Sequence, residues 1–205
     1  MPHEETDAKD QRDAEYRRRI LEAARALVDR NGIDSVNMYQ IAQEAGIGQG
    51  TLYRRYEHAG EIYSDMLRES VEHFLQELES WHAPSASAAS ALERLDDAIG
   101  RLIHYIDDNV VFLSTINCLY AGKKTFLPHK RPITQRLQGI FQDLLNDAVR
   151  QGETGELDVT LTANFLLAAL SPEQYLHHRE SLGYDKDMYL AGIRRLFIEG
   201  LRKRG

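Results

Sequence analysis

An internal disulfide is excluded at the outset, because the chain holds a single cysteine, Cys118, in 205 residues. The same scarcity removes any CxxC pair, so no thiolate-bound zinc holds this fold and its stability has to come from packing. Long apolar runs are missing too, and nothing approaches the roughly 18 to 20 residues that a membrane span requires. The first residues, Met1 to Asp13, are polar and acidic, unlike a secretory signal. The expectation is a cytoplasmic protein with no membrane association. Runs of alternating apolar and polar residues bounded by turns are also lacking, which argues against a sheet. A general excess of positive charge is absent as well. The formal net charge of -7 speaks against indiscriminate nucleic-acid binding, which depends on neutralising phosphates with Lys and Arg. Any contact with DNA must therefore be local, and between Tyr16 and His58 the balance does reverse, with seven basic residues against five acidic.

What is present is helical period. Ile20, Ala24, Leu27 and Val28 form one apolar stripe on a first helix, which Asn31 and Gly32 end in the left-handed way. Asn37 is a good N-cap with Gln40 three residues later, a variant capping box opening a second helix that Gly46 closes. A third helix is expected from Gln49 to Tyr56, and a long amphipathic one from Glu61 to Trp81. The stretch Ala83 to Ser90 reads as a loop, with Ser87 or Ser90 capping the next helix. Further helices are expected at Leu92–Ile106, Val110–Ala121, Ile133–Arg150, Leu161–His178 and Lys186–Arg204, with a break from Gly152 to Gly155. The fold class is thus all-α: a three-helix N-terminal unit and, after it, a helical bundle.

Met38 to Arg55 has the spacing of a helix-turn-helix. Ile41, Ala45, Ile47 and Leu52 fall where two crossed helices bury side chains, and Gly46 stands at the turn, where positive φ is needed. Leu52 and Tyr56 share an inward face. Gly50, Thr51, Arg54 and the flanking Tyr53 and Arg55 are left outward, a face able to enter a major groove. Gln49 can reach base edges from the helix start, and Gly50 lets the backbone come close. Thr51 and Tyr53 bring hydroxyls for phosphate oxygens, and Arg54 and Arg55 can pair with guanine or phosphate.

Those residues resemble the DNA-binding domain of the tetracycline-repressor (TetR) regulators. The likeness runs from about Arg18 to Met66 and is strongest in AGIGQGTLYRRY. It implies that Arg17 or Arg18 and Tyr39 contact phosphates and that Gln49, Gly50, Thr51, Tyr53 and Arg54 form the groove-facing set. Where many members have a serine cap and then a phosphate-gripping lysine, this chain has His58, a partial substitute, and Ala59. Where the recognition helix often begins with serine it has Gly48, a weaker N-cap. A flexible arm is expected over residues 1–15, and the resemblance further implies a DNA-binding domain over 16–60 and a helical effector-binding and dimerisation domain over 61–205. The partners it implies are a double-stranded DNA operator, a second copy of the chain and a small-molecule effector, with repression relieved by that effector.

For the second domain, Leu161, Phe165, Leu166 and Ala169, with Tyr189, Ile193, Leu196, Phe197 and Leu201, make apolar stripes suited to a four-helix interface between twofold mates. Phe74, Trp81, His104, Tyr105, Phe112, Asn117, Cys118, Tyr120 and Phe141 are polar or aromatic residues on otherwise apolar faces, the mixture that lines ligand pockets. Catalysis is not expected. A di-iron bundle needs two Glu-x-x-His motifs and only Glu79–His82 has that spacing, while the GIGQG run lacks the preceding strand of a dinucleotide loop. Neither a metal nor a cofactor is called for.

Overall fold

The computed structural model describes the backbone of residues 2–82, 89–120 and 132–203, and the side chains of 11–81, 89–116 and 132–203. Within these, the regular elements are helical, apart from one antiparallel bridge between Thr154 and Arg202. None of the described helices is long and apolar enough to cross a membrane. Two compact units part between Glu69 and Ser70.

In the first unit, α1 (Pro2–Asn31) begins well before Tyr16, so that residues 2–15, expected as an arm, extend the first helix. Its inward stripe of Ile20, Ala23, Ala24 and Leu27 is buried. Gly32 then turns at φ +77°, and Ile33 and Val36 cross the core. Asn37 and Gln40 form the reciprocal capping box of α2 (Met38–Glu44), each side chain accepting from the other's backbone N–H at 3.0 Å. Gly46, at φ +63°, makes the sharp turn. A Cβ there would stand 2.8 Å from the Arg19 guanidinium, which reaches over from α1 and donates to the carbonyls of Ala45 and Gly46. Arg19 therefore caps the C-terminus of α2, where cationic donors are favoured.

Helix α3 (Gln49–Tyr53) is shorter than expected. No side chain caps it at Gly48, and the backbone tightens after Leu52, whose carbonyl accepts from both Arg55 and Tyr56. Helix α4 (Ala59–His82) starts two residues ahead of expectation. It contributes Ile62, Tyr63, Met66 and Leu67 to the core of this first unit.

The second unit comprises the rest of α4, α5 (Ala91–Tyr120), α6 (Pro132–Arg150), α7 (Val159–Ala169), α8 (Pro172–Ser181) and α9 (Lys186–Arg194), the last running into a π-turn at Arg195–Glu199. Its core gathers Leu75, Leu78, Leu95, Ile99, Ile103, Phe141, Leu145, Leu166 and Tyr175. Helix α5 is continuous where two helices were expected. No glycine or proline interrupts residues 107–110, and the Asn109 amide donates back to the Tyr105 carbonyl at 2.9 Å without opening the turn. Leu161–His178, expected as one helix, is two: Leu170 ends α7, and Ser171 caps α8 with Pro172 at its first position.

Polar links fix the bundle. Ser90 and Glu93 form the capping box of α5, and the Glu153 carboxylate, from the loop after α6, accepts from the Ala91 and Leu92 N–H groups at 2.8 and 2.9 Å. Arg94 and Asp147 make a buried ion pair at 2.8 Å. Arg136 of α6 reaches Glu72 and Glu79 on α4 at 2.7 and 2.8 Å. The π-turn brings Ile198 into the core and leaves Leu196 two-thirds exposed. Its backbone closes so tightly that a Cβ on Gly200 would stand 2.5 Å from the Leu196 carbonyl oxygen.

Candidate nucleic-acid interface

Only five residues long, α3 would not be stable alone. It is held from below by Leu52, which is fully buried, and from its end by Tyr56. The Tyr56 hydroxyl donates at 2.7 Å to the buried carboxylate of Asp65 on α4, which also accepts from Arg17 Nε and Nη2 of α1 at 2.7 and 3.0 Å. One carboxylate thus joins α1, the turn after α3 and α4. Burial alone would raise the Asp65 pKa, but the hydrogen bonds from Arg17 and Tyr56 outweigh it and hold it below the usual carboxylate range. Burial, then the bond to Asp65, pushes the Tyr56 phenol up.

Replacing Asp65 by alanine is expected to destabilise the protein by about 2 kcal/mol in urea unfolding, since the half-buried Tyr56 hydroxyl and the Arg17 guanidinium both lose a charged acceptor. A pH signature accompanies it. Asp147, held down by Arg94 and Arg150, and Asp107, where Tyr175 and Lys186 overcome the effect of burial, are lowered like Asp65. A depressed carboxylate contributes its stability fully above its unfolded pKa of about 3.9 and loses it as pH falls through the folded value. Urea midpoints should therefore hold level near neutrality and drop below about pH 4, less steeply in Asp65→Ala.

With α3 so anchored, the expected groove-facing residues separate into two groups. Gln49, Gly50, Tyr53 and Arg54 are exposed and Thr51 is half-buried; Tyr39, on α2, is exposed as well. Arg54 lies along α3, its Nε 3.3 Å from the Gly50 carbonyl and its Nη2 3.4 Å from Thr51 Oγ1. These are long bonds on an exposed surface, easily exchanged for a phosphate or a base edge.

The other expected contacts are engaged within the unit. Arg17 forms the bidentate pair with Asp65 and serves the architecture, a correction to its expected phosphate role. Arg18 is gripped on both sides, by Glu15 at 2.7 Å and Glu22 at 2.8 Å. Arg55 turns back to α1, where it pairs with Asp13 and lies 5.3 Å over the Tyr16 ring; it does not join the outward face. His58 is half-buried, with Nδ1 shielded from solvent. Of the seven arginines between Tyr16 and His58, Arg17, Arg18, Arg30 and Arg55 stand in ion pairs and Arg19 caps α2. Arg25 and Arg54 remain. Arg19 and Asp65 escaped sequence reasoning, because their partners are distant in the chain.

In the second unit, an open-sided cavity of about 450 Å³ is lined by Phe74, Glu77, Leu78, Asp97, Gly100, Arg101, His104, Tyr105, Asp108, Leu190 and Arg194. It brings together three of the expected pocket residues. Phe74 and Tyr105 stack with centroids 4.5 Å apart, the Tyr105 hydroxyl shares a 3.2 Å bond with Ser70, and His104 stands beside them. Trp81 is exposed and packs on the Arg101 guanidinium at 4.1 Å. Phe141 is fully buried in the core, which corrects its assignment as a pocket residue; Phe112 is half-buried outside this cavity. The side chains of Asn117, Cys118 and Tyr120 lie outside the described ones.

The expected dimer stripes also divide. Leu166, Tyr189 and Ile193 belong to the unit's own core, because each helix has only one face for its own bundle and these residues occupy it. Ala169, Phe197 and Leu201 are half-buried against that core. Leu161, Phe165 and Leu196 stay uncovered, joined by Met188, which had not been expected there. The Tyr189 hydroxyl donates to the Ala169 carbonyl and ties α9 to the end of α7.

Residues 20–58 match the family of bacterial regulatory proteins, tetR family. An HTH-type transcriptional regulator of Staphylococcus aureus (strain USA300) is 29% identical over 134 residues, spanning 63% of this chain and 67% of that protein. Among solved structures, Thermus thermophilus FadR, a TetR family transcriptional repressor in complex with lauroyl-CoA, superposes with a TM-score of 0.68 at 18% identity, over 92% of this chain and 96% of that one. Bacillus subtilis FadR, a transcriptional regulator in complex with stearoyl-CoA, gives 0.62 at 20% identity over 90% and 98%. At these identities the two structures speak for the fold alone.

Proposed function

We propose that the chain is a transcriptional regulator of the TetR family, a reading supported by the match over residues 20–58 and by the Staphylococcus aureus relative, and that it acts in the cytoplasm as a homodimeric repressor, released from its operator by a small molecule held in the second unit. The observation that carries the DNA-binding half is the short helix α3, which sets Gln49, Gly50, Tyr53 and Arg54 outward above a fully buried Leu52. Two such heads in a twofold dimer would read half-sites about 34 to 36 Å apart or at another spacing fixed by the dimer. The uncovered Leu161 and Phe165 on α7, Met188 on α9 and Leu196 in the π-turn are the apolar side chains on which a second copy would close. DNA selected by the purified protein from a random pool tests this: one enriched inverted repeat is expected, and no enrichment would end the proposal.

The cavity beside Phe74 and Tyr105 is the effector site of this reading. Acyl-CoA, the ligand in the two FadR structures, is the first class to test. The walls speak against its phosphates. Glu77 and Asp108 line the cavity with no arginine or lysine partner among the described residues, while Arg101 is paired with Asp97 and Arg194 with Asp96. An acidic lining around an aromatic stack suits a compact ligand with an aromatic body that is uncharged or cationic. In a thermal-shift screen such compounds are expected to raise Tm, as any ligand of the native state must, and to weaken operator binding in parallel. Stabilisation by lauroyl-CoA in place of aromatic compounds would refute this choice of ligand.

A further inference from the structure

The acidic start of the chain meets the DNA-reading element at one point. Asp13 of α1 holds the Arg55 guanidinium, and the Tyr16 ring lies 5.3 Å from it on the same helix. Arg55 is left 23% exposed, whereas its neighbour Arg54 is exposed and carries no carboxylate partner among the described residues. Asp13 also lies in a net-acidic stretch, since residues 4–15 hold Glu4, Glu5, Asp7, Asp10, Asp13 and Glu15 against Lys9 and Arg12. A phosphate approaching α3 therefore finds one of the two arginines beyond its C-terminus already neutralised by a carboxylate of α1.

We propose that Asp13 is an affinity-limiting residue for operator binding: by holding Arg55 on α1 it withholds a cation from the DNA backbone. The contact is poised to be displaced. Asp13 is half-exposed, and exposed ion pairs are weak and screened by salt, so a DNA phosphate competes with it on nearly even terms. In the bound state Arg55 divides its time between carboxylate and phosphate, and the operator is held less tightly than the surface of α3 permits. The acidic stretch before Asp13 adds repulsion that salt screens. This rests on the reading of α3 as the DNA surface.

The test uses the full-length protein, its selected operator and fluorescence anisotropy from 50 to about 300 mM salt. Asp13→Asn keeps the side chain's shape and removes its charge. It is expected to tighten binding about fivefold at low salt and to steepen the slope of log affinity against log salt by a part of about 0.9, the value of one whole phosphate contact, since Arg55 already makes that contact for part of the time. In an Arg55→Ala background the same change should give no gain. Unchanged or weaker binding by Asp13→Asn would overturn the proposal, and so would a gain that persists without Arg55, which would assign the effect to net charge. Asp13→Ser should repeat the Asp13→Asn result, and circular dichroism of each variant fixes the folded fraction used to compute affinity. Operator binding that survives loss of Tyr53 and Arg54 would instead remove α3 as the DNA surface, a separate failure.

Discussion

Changing Tyr53 and Arg54 together to alanine is expected to lower operator affinity about 100- to 1000-fold, on the order of 1–3 kcal/mol for each groove-facing side chain removed, with no change in thermal stability. Both side chains are exposed, and neither supports the core. The loss is large because few substitutes exist. Arg17, Arg18 and Arg55 are bound to carboxylates, and nothing equivalent to a phosphate-gripping lysine comes after His58, where Ala59 stands. The salt slope should fall by about one with the arginine gone. Anisotropy titration of the selected operator measures both quantities. Binding within a fewfold of the unaltered protein would remove α3 from the interface.

Glutamate at both Phe165 and Leu196 is expected to convert a dimer into a monomer and, with it, to cost most of the operator affinity. These side chains are 60% and 66% exposed, more than large apolar groups normally are unless a partner covers them. In a twofold interface each patch faces its own copy, so one substitution places two new carboxylates together in a surface that excludes water. A monomer retains one head and one half-site. Sedimentation equilibrium gives the mass directly, and a dimer that persists would move the interface elsewhere. The contrast lies one residue away: Leu166→Glu would put its charge into the core, where Leu166 is fully buried, and the expected outcome there is an unfolded chain.

Local features of the first unit were legible because local physics decides them. Asn37 and Gln40 are three residues apart and cap each other; Gly46 is needed at positive φ within the same turn; Leu52 faces inward by helical period. The arginines were less so. Whether Arg55 faces DNA or α1 depends on Asp13, 42 residues earlier, and the fate of Arg17 depends on Asp65, 48 residues later. Periodicity reports a residue's own helix and is silent about both. The same limit explains the second unit, where an aromatic on an apolar face can line a cavity, as Phe74 does, or fill the core, as Phe141 does. Pro172 stands at the first position of α8, where a new helix starts, but the π-turn after Arg194 left no mark on the apolar stripe.

The carboxylate of Asp65 also determines how the first unit opens. Because α3 is too short to persist by itself and is tethered through Tyr56 to the same group that binds α1 to α4, it has no separate way to fray. Amide hydrogens of Leu52, Tyr56 and the inner turns of α1 and α2 should therefore exchange with solvent at one common free energy, as a single foldon. The surface proposed to read DNA then opens only when its whole support opens.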